Sequence, residues 1–202
     1  RVSRGLGDVY KRQFLSWMSR LGLKTDGSAN GVTVLRQGWG VEPLTEGQAA
    51  CVSTMSYNEY WVVRDAGYSP EQLTVFKYQS EGAATLEDGL YVHEKNLSDA
   101  AFKDKMVRFV RASMKGWKYA EANPKEAAMI ILDNDDAGVQ TEKHQVRMMG
   151  EIAKLTAGSN GSLDPADYER TVKVLMSGDS DPVITKKPSG AWTNEITNAA
   201  LN

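Results

Sequence analysis

Residues 32–61 read VTVLRQGWGVEPLTEGQAACVSTMSYNEYW and contain the alternation of elements that decides the predicted fold. The β-branched stretch at 32–35 predicts a short strand. The small apolar stretch at 49–55 predicts a second strand, buried between other elements. Residues 41–48, between the two, predict a short helix with a proline in its first turn.

The same alternation continues toward the middle of the chain, where residues 57–66 predict a helix and residues 73–78 a third strand. Strands separated by short helices are typical of an α/β fold with a parallel sheet. Ligands of such sheets bind beyond the carboxyl ends of the strands. This rule selects Gln37 and Trp39 after the first strand and residues 56–61 after the second.

The second half of the chain is predicted to be almost entirely helical. A small-residue break at 79–85 (QSEGAAT) separates the two halves and is the best candidate for a hinge or crossover, followed by a short strand at 89–92. A change of composition at this point predicts two lobes. Capping residues and apolar stripes predict helices that start after Ser98, at Pro124, near 140, at Pro165 and near 193.

The segment at 56–61 (SYNEYW) is the strongest candidate for a binding site. The aromatic rings of Tyr57 and Trp61 can stack on a flat heterocycle. The Asn58 amide and the Glu59 carboxylate can hydrogen-bond ring nitrogens and exocyclic amines. Ordinary helix packing is the alternative, because Tyr57 and Trp61 lie four residues apart and could form a core face beside a solvated Glu59.

Residues 37–40 (QGWG) are a second candidate, since their two glycines would let the backbone approach a ligand closely and Trp39 could form a pocket wall. A tight turn with a packed tryptophan is the alternative. The glycine spacing matches neither a P-loop nor a dinucleotide fingerprint, which argues against nucleotide binding.

Catalytic and metal-ligating patterns are absent from the sequence. The two histidines, His93 and His144, lie in polar stretches and are predicted to be solvated, and Cys51 is predicted to pack as a small hydrophobe. A single cysteine excludes an intrachain disulfide framework. The formal charge of −2 argues against a dedicated nucleic-acid binder, and no apolar run is long enough to span a membrane. We therefore predict no catalytic residue, no cofactor and no metal.

The first thirteen residues, RVSRGLGDVYKRQ, differ from the rest of the chain. They carry four basic residues and one acidic residue and show no helical or strand period. They look like a translated sequencing adapter, so we predict a non-native extension at 1–13 and a truncation point at Phe14. A genuine basic arm is the alternative.

Several stretches together resemble a known family. Residues 32–67, ending in SYNEYWVVRDAG, the stretch EDGLYVHEKNLSD at 87–99, the helix FVRASMKGWKYAEANPKEAA at 109–128 and KPSGAWTNEI at 187–196 are similar to periplasmic substrate-binding proteins of ABC transporters. The resemblance is to the nitrate, taurine, sulfonate and thiamine-precursor branch. The YNEYW segment looks closest to the binders of the thiamine pyrimidine precursor.

The resemblance implies a type II periplasmic-binding-protein-like α/β fold of two lobes with a crossover hinge, the first lobe being incomplete. Lobe two would comprise 14–80, and 81–202 would hold the crossover strand and the mostly helical part of lobe one. It implies a monomer outside the cytoplasm, periplasmic or anchored to the outer face of the membrane, that closes around a small molecule and delivers it to a membrane permease without catalysis.

The resemblance also implies roles for residues. Glu59 would accept hydrogen bonds from an amino-pyrimidine or a cationic amine, Tyr57 and Trp61 would form aromatic walls, and Asn58 would add a donor and an acceptor. Gln37 and Trp39 would lie at the neighbouring strand end, with Asp88 at the crossover. The alternatives are a sulfonate, nitrate or taurine binder and an enzyme of the same fold that makes the pyrimidine precursor.

Overall fold

The structure is a computed structural model that describes residues 7–38, 40–177 and 182–202, with side chains from residue 11 onward. These ranges contain α-helices and two 3₁₀ helices, Pro70–Gln72 and Glu94–Ser98. The α-helices are α1 (Gly7–Arg20), α2 (Glu42–Thr45), α3 (Glu59–Asp65), α4 (Ala100–Ala122), α5 (Pro124–Asp133), α6 (Glu142–Thr156), α7 (Pro165–Met176) and α8 (Glu195–Leu201).

The helices begin where local signals predict them. The Asp164 side chain accepts a hydrogen bond from the Ala166 amide at the start of α7, and the Thr141 side chain accepts one from the His144 amide at the start of α6. Such caps satisfy amides that have no partner inside the helix. Asp99, rather than the predicted Ser98, caps α4, because Ser98 ends the preceding 3₁₀ helix.

The predicted α/β fold with a parallel sheet is wrong, since no residue in the described ranges belongs to a strand. The segments predicted as strands, 32–35, 49–55, 73–78 and 89–92, are mostly irregular backbone without ladder hydrogen bonds. Many of their apolar side chains are exposed, including Phe76.

The physical reason lies in what a strand requires. An apolar or β-branched pattern favours extended backbone, but a strand exists only when a neighbour supplies the matching amides and carbonyls. Here the amide of Ser53 donates to Gln37 Oε1 at 2.9 Å, and Gln37 Nε2 donates to the Ser53 carbonyl at 2.8 Å. A side-chain amide therefore takes the place that a neighbouring strand would have.

The described residues divide into two compact units. Unit 1 comprises the described parts of Arg1–Thr54, Val62–Gly89 and Asp164–Ala191, and unit 2 comprises Met55–Trp61, Leu90–Leu163 and Trp192–Asn202. The predicted division into 14–80 and 81–202 stays a prediction.

In unit 1, α1 and α7 both contact the small-residue break at 79–85, which the sequence predicts as a hinge or crossover. Ala83 and Ala84 are buried, and Arg170 Nε donates to the Ala84 carbonyl at 3.2 Å. Gln13, which is buried on α1, donates from Nε2 to Thr85 Oγ1 at 2.7 Å. Residues 7–13 thus form the first half of α1, and their predicted non-native origin stays a prediction.

In unit 2, α5 and α6 pack through a core of Ala127, Ala128 and Met149. The last helix, α8, lies against α4. Arg111 of α4 donates from Nε to the Ala200 carbonyl and from a terminal nitrogen to the Ala199 carbonyl, both at 3.0 Å. This pair of bonds satisfies carbonyls at the end of α8 that have no partner within the helix.

Candidate functional site

The YNEYW segment folds into a turn that leads directly into α3. The amides of Asn58 and Tyr60 both donate to the Met55 carbonyl at 3.2 Å. The Glu59 carboxylate reaches back and accepts from the Met55 amide at 2.8 Å through Oε2. A carboxylate at the first residue of a helix is favoured by the helix dipole. Glu59 therefore stabilises the turn that begins at Met55 and leads into α3.

Asn58 joins this turn to α6. Its Oδ1 lies 2.8 Å from His144 Nε2, and its Nδ2 donates to Glu59 Oε1 at 3.4 Å. An amide oxygen can only accept, so His144 Nε2 carries the hydrogen in this arrangement. Both side chains are half-buried, which strengthens the hydrogen bond relative to one in water.

Trp61 contacts both an aromatic ring and a cation. Its ring is 5.3 Å from the ring of Tyr60 in an edge-to-face arrangement, and the Arg147 guanidinium carbon lies 4.9 Å from its centroid. Such a cation–π contact is stabilising within about 6 Å. The Trp61 Nε1 hydrogen is buried and meets no acceptor among the described residues. We call Asn58, Glu59, Trp61, His144 and Arg147 the Trp61 cluster.

The structure therefore brings four of the predicted site residues together in one segment of unit 2: Tyr57, Asn58, Glu59 and Trp61. Gln37 and Asp88 belong to unit 1, where the Gln37 amide is engaged by Ser53 and Asp88 is exposed. Trp39 lies outside the described residues. The rule that placed Gln37 beside residues 56–61 assumed a shared sheet edge, and that basis is lost with the sheet.

Sequence reasoning missed the contribution of α6. His144 was predicted to be solvated, yet it is half-buried against Asn58, so that prediction is wrong. Arg147 follows it by three residues, a spacing that places two side chains on one helix face. This spacing indicates that His144 and Arg147 share a helix face, but it does not indicate that the face contacts the segment at 56–61.

Two shallow hollows lie elsewhere on the surface. One of about 270 Å³ is lined by residues of α7 together with Lys187, and one of about 510 Å³ is lined by residues at the α4–α5 junction. Neither is lined by a predicted site residue. In the part of the chain that the structure describes, no group of three His, Cys, Asp or Glu side chains could hold a metal ion. None of the described helices is long and apolar enough to cross a membrane.

The composition of the Trp61 cluster defines what it can do. It offers aromatic surface, a carboxylate, an amide, an imidazole and a guanidinium, all half-buried. A few polar groups among aromatic rings are usual in a small-molecule binding site. The cluster is thus suited to hold a small polar ligand.

Comparison with known proteins assigns the chain to a class. Residues 12–127 match the model of the family described as "NMT1/THI5 like", and these residues include the whole YNEYW segment. Since the match covers more than half of the chain, the protein belongs to the NMT1/THI5-like family. The family is made up mostly of substrate-binding proteins, although some members can be synthases. The comparisons with curated proteins and with solved structures found no match.

Proposed function

We propose that the chain is the solute-binding component of an ABC importer that captures a small heterocyclic or anionic nutrient, with a thiamine pyrimidine precursor as the first candidate. One observation carries the proposal: the family match spans the YNEYW segment, and that segment forms a half-buried polar and aromatic cluster with α6.

The proposal extends to the setting in which such a protein works. It places the protein in the periplasm, or anchored to the outer face of the membrane, as a monomer that delivers its ligand unchanged to a membrane permease. The family contains synthases as well as binders, so the fate of the ligand distinguishes the two. Mass spectrometry after incubation with protein and iron is expected to recover the ligand unchanged, and a new product would contradict the non-enzymatic role.

Glu59 is the residue by which we test the site. Its Oε2 already accepts from the Met55 amide, but each carboxylate oxygen has a second lone pair for a ligand N–H. Glu59→Gln keeps one oxygen to accept from Met55, removes the charge, and replaces the oxygen that accepts from Asn58 Nδ2 at 3.4 Å with an NH2 group. The turn is therefore expected to survive the substitution.

The experiment is calorimetric titration of the purified chain with three compounds: the neutral aminopyrimidine alcohol that is the thiamine precursor, taurine and nitrate. We expect the aminopyrimidine to bind and Glu59→Gln to weaken it by about 1–3 kcal/mol, the scale of a lost buried polar partner. The matched control is Glu94→Gln, at an exposed position of the same unit. Absence of binding by all three compounds would contradict the proposed function, and equal affinity of Glu59→Gln and the control would remove Glu59 from the site.

A further inference from the structure

We infer that residues 81–86 are a fixed connector between α1 and α7 rather than a hinge, and that the two helices and this stretch open as one cooperative unit. We call residues 81–86 the anchored segment. The segment and both helices belong to unit 1. The inference concerns how the folded chain moves, needs no ligand, and does not rest on the proposed function.

The first argument is that one face of α1 contacts the segment near both of its ends. Trp17 Nε1 donates to Glu81 Oε2 at 3.2 Å, and Gln13 Nε2 donates to Thr85 Oγ1 at 2.7 Å. Gln13 and Trp17 are four residues apart, a spacing that places two side chains on the same face of a helix. The segment therefore lies along α1 rather than apart from it.

The second argument is that α7 contacts two further residues of the segment. Arg170 Nε donates to the Ala84 carbonyl at 3.2 Å, and Thr171 Oγ1 accepts from the Leu86 amide at 2.8 Å. The Thr171 hydroxyl also donates to the carbonyl of Asp167, four residues earlier in α7, at 2.9 Å. One side chain thus joins the backbone of the segment to the backbone of the helix.

The third argument is Gly82, the residue of the segment that a hinge would use. Its φ is +65°, in the left-handed region that favours glycine. Its carbonyl accepts from Arg20 Nη1 at 2.6 Å, and a Cβ built on Gly82 would lie 2.8 Å from the same nitrogen. The glycine therefore permits a close approach of α1, and a change of its backbone angles would break that contact.

The fourth argument is that no residue of the segment is left without a contact. Ala83 and Ala84 are buried, and their amides both donate to the Tyr78 carbonyl, at 2.9 and 3.1 Å. A hinge needs residues whose φ and ψ change without loss of contacts. Residues 87–93, by contrast, are all exposed. Bending of the chain is therefore opposed within 81–86 and much less opposed in the stretch that follows.

The first test is amide hydrogen exchange of the purified chain, measured by mass spectrometry of its peptides. Exchange of a buried, hydrogen-bonded amide requires the structure around it to open. We expect residues 81–86 to exchange at least about 10-fold more slowly than residues 87–92. We also expect α1, the segment and α7 to share one opening rate, since each is bonded to the next.

The second test is the variant Thr171→Val, which keeps the shape of the side chain and removes the acceptor of the Leu86 amide. We expect exchange to become about 2- to 10-fold faster in the segment and also in α1, the range that one lost hydrogen bond produces. The matched control is Thr156→Val in unit 2. Thr156 donates to the carbonyl four residues earlier in α6, as Thr171 does in α7, and its removal should leave α1 and the segment unchanged.

Three outcomes would overturn the inference. The first is exchange of 81–86 as fast as that of 87–92. The second is a Thr171→Val protein in which exchange rises in α7 and the segment but not in α1, because α1 would then open independently. The third is an equal effect of Thr171→Val and Thr156→Val on α1, because the whole chain would then open together.

A second variant replaces Thr171→Val if circular dichroism shows that it is unfolded. Arg20 is exposed, so Arg20→Gln removes the bond to the Gly82 carbonyl without leaving a cavity. The change is made on α1 and its effect is measured on α7. Faster exchange in α7 is the expected result, and unchanged exchange in α7 would overturn the coupling between the two helices.

Discussion

Removal of the His144 imidazole tests whether the contact between α6 and the YNEYW segment stabilises the folded chain. In His144→Ala the 2.8 Å contact to Asn58 Oδ1 is lost and the half-buried oxygen has no protein partner in its place. A hydrogen bond contributes about 0.5–1.5 kcal/mol net, and an oxygen left unsatisfied adds to the loss. Because Asn58 is only half-buried, water replaces part of the contact, and we expect a loss of about 1–1.5 kcal/mol.

The measurement is equilibrium unfolding in urea, with thermal melting as a second readout. A chain of this length loses roughly 2–4 °C in Tm for each kcal/mol. His93→Ala is the matched control: His93 is exposed, its side chain caps nothing, and its removal is expected to change stability by less than about 0.5 kcal/mol.

A double-mutant cycle with Asn58→Ala isolates the pair. We expect a coupling energy of about 0.5–1.5 kcal/mol between the two positions, because each single variant removes the same bond. The reasoning is refuted if His144→Ala is as stable as His93→Ala and the coupling energy is zero, since the segment and α6 would then be independent in solution.

Three further predictions concern other contacts. Arg111→Ala is expected to lower the free energy of unfolding by about 1–3 kcal/mol, because two carbonyls at the end of α8 lose their donors. Arg111→Lys should recover less than half of that loss. Equal stability of the native chain and both variants in urea would argue against this cap. Gln37→Glu is expected to lower Tm more than Gln37→Ala does, because a carboxylate oxygen would face the Ser53 carbonyl where Gln37 Nε2 now donates. A lower Tm for Gln37→Ala than for Gln37→Glu would contradict the contact. Burial raises the pKa of the Tyr78 hydroxyl above its ordinary value of 10.0. The folded state therefore binds the hydroxyl proton more tightly than the unfolded state does. The stability that this difference contributes is fully present below pH 10 and is lost as the pH rises through the folded-state pKa. Tyr78→Phe should therefore show a shallower loss of stability in urea at alkaline pH, and parallel curves for the two proteins would count against burial as the cause.

The helices could be predicted from the sequence because their signals are local. Asp164 beside Pro165, Thr141 three residues before the His144 amide, and Pro124 after Asn123 each define a start within one turn of chain. The strands could not be predicted in the same way. The pattern at 49–55 favours extended backbone, but whether Ser53 pairs with a strand or with the Gln37 side chain depends on residues elsewhere in the chain.

The same difference between local and distant contacts applies to the candidate site. Tyr57, Asn58, Glu59 and Trp61 are contiguous, so any fold keeps them together, and the sequence could identify them as a group. His144 lies 86 residues from Asn58, and its polar neighbours indicate a solvated helix face. The contact is a property of tertiary packing, which a single sequence without a related structure does not specify.

The measurement that tests the central claim most directly is the indole N–H signal of Trp61 in a ¹⁵N-labelled sample titrated with the aminopyrimidine alcohol. The chain has five tryptophans, and the signal that disappears in Trp61→Phe identifies this one. We expect a saturable shift of the Trp61 signal with the same Kd that calorimetry gives, because a ligand held by the Trp61 cluster changes the surroundings of the indole N–H. Calorimetric binding that leaves the Trp61 signal in place would contradict it, since the ligand would then be held somewhere other than the Trp61 cluster.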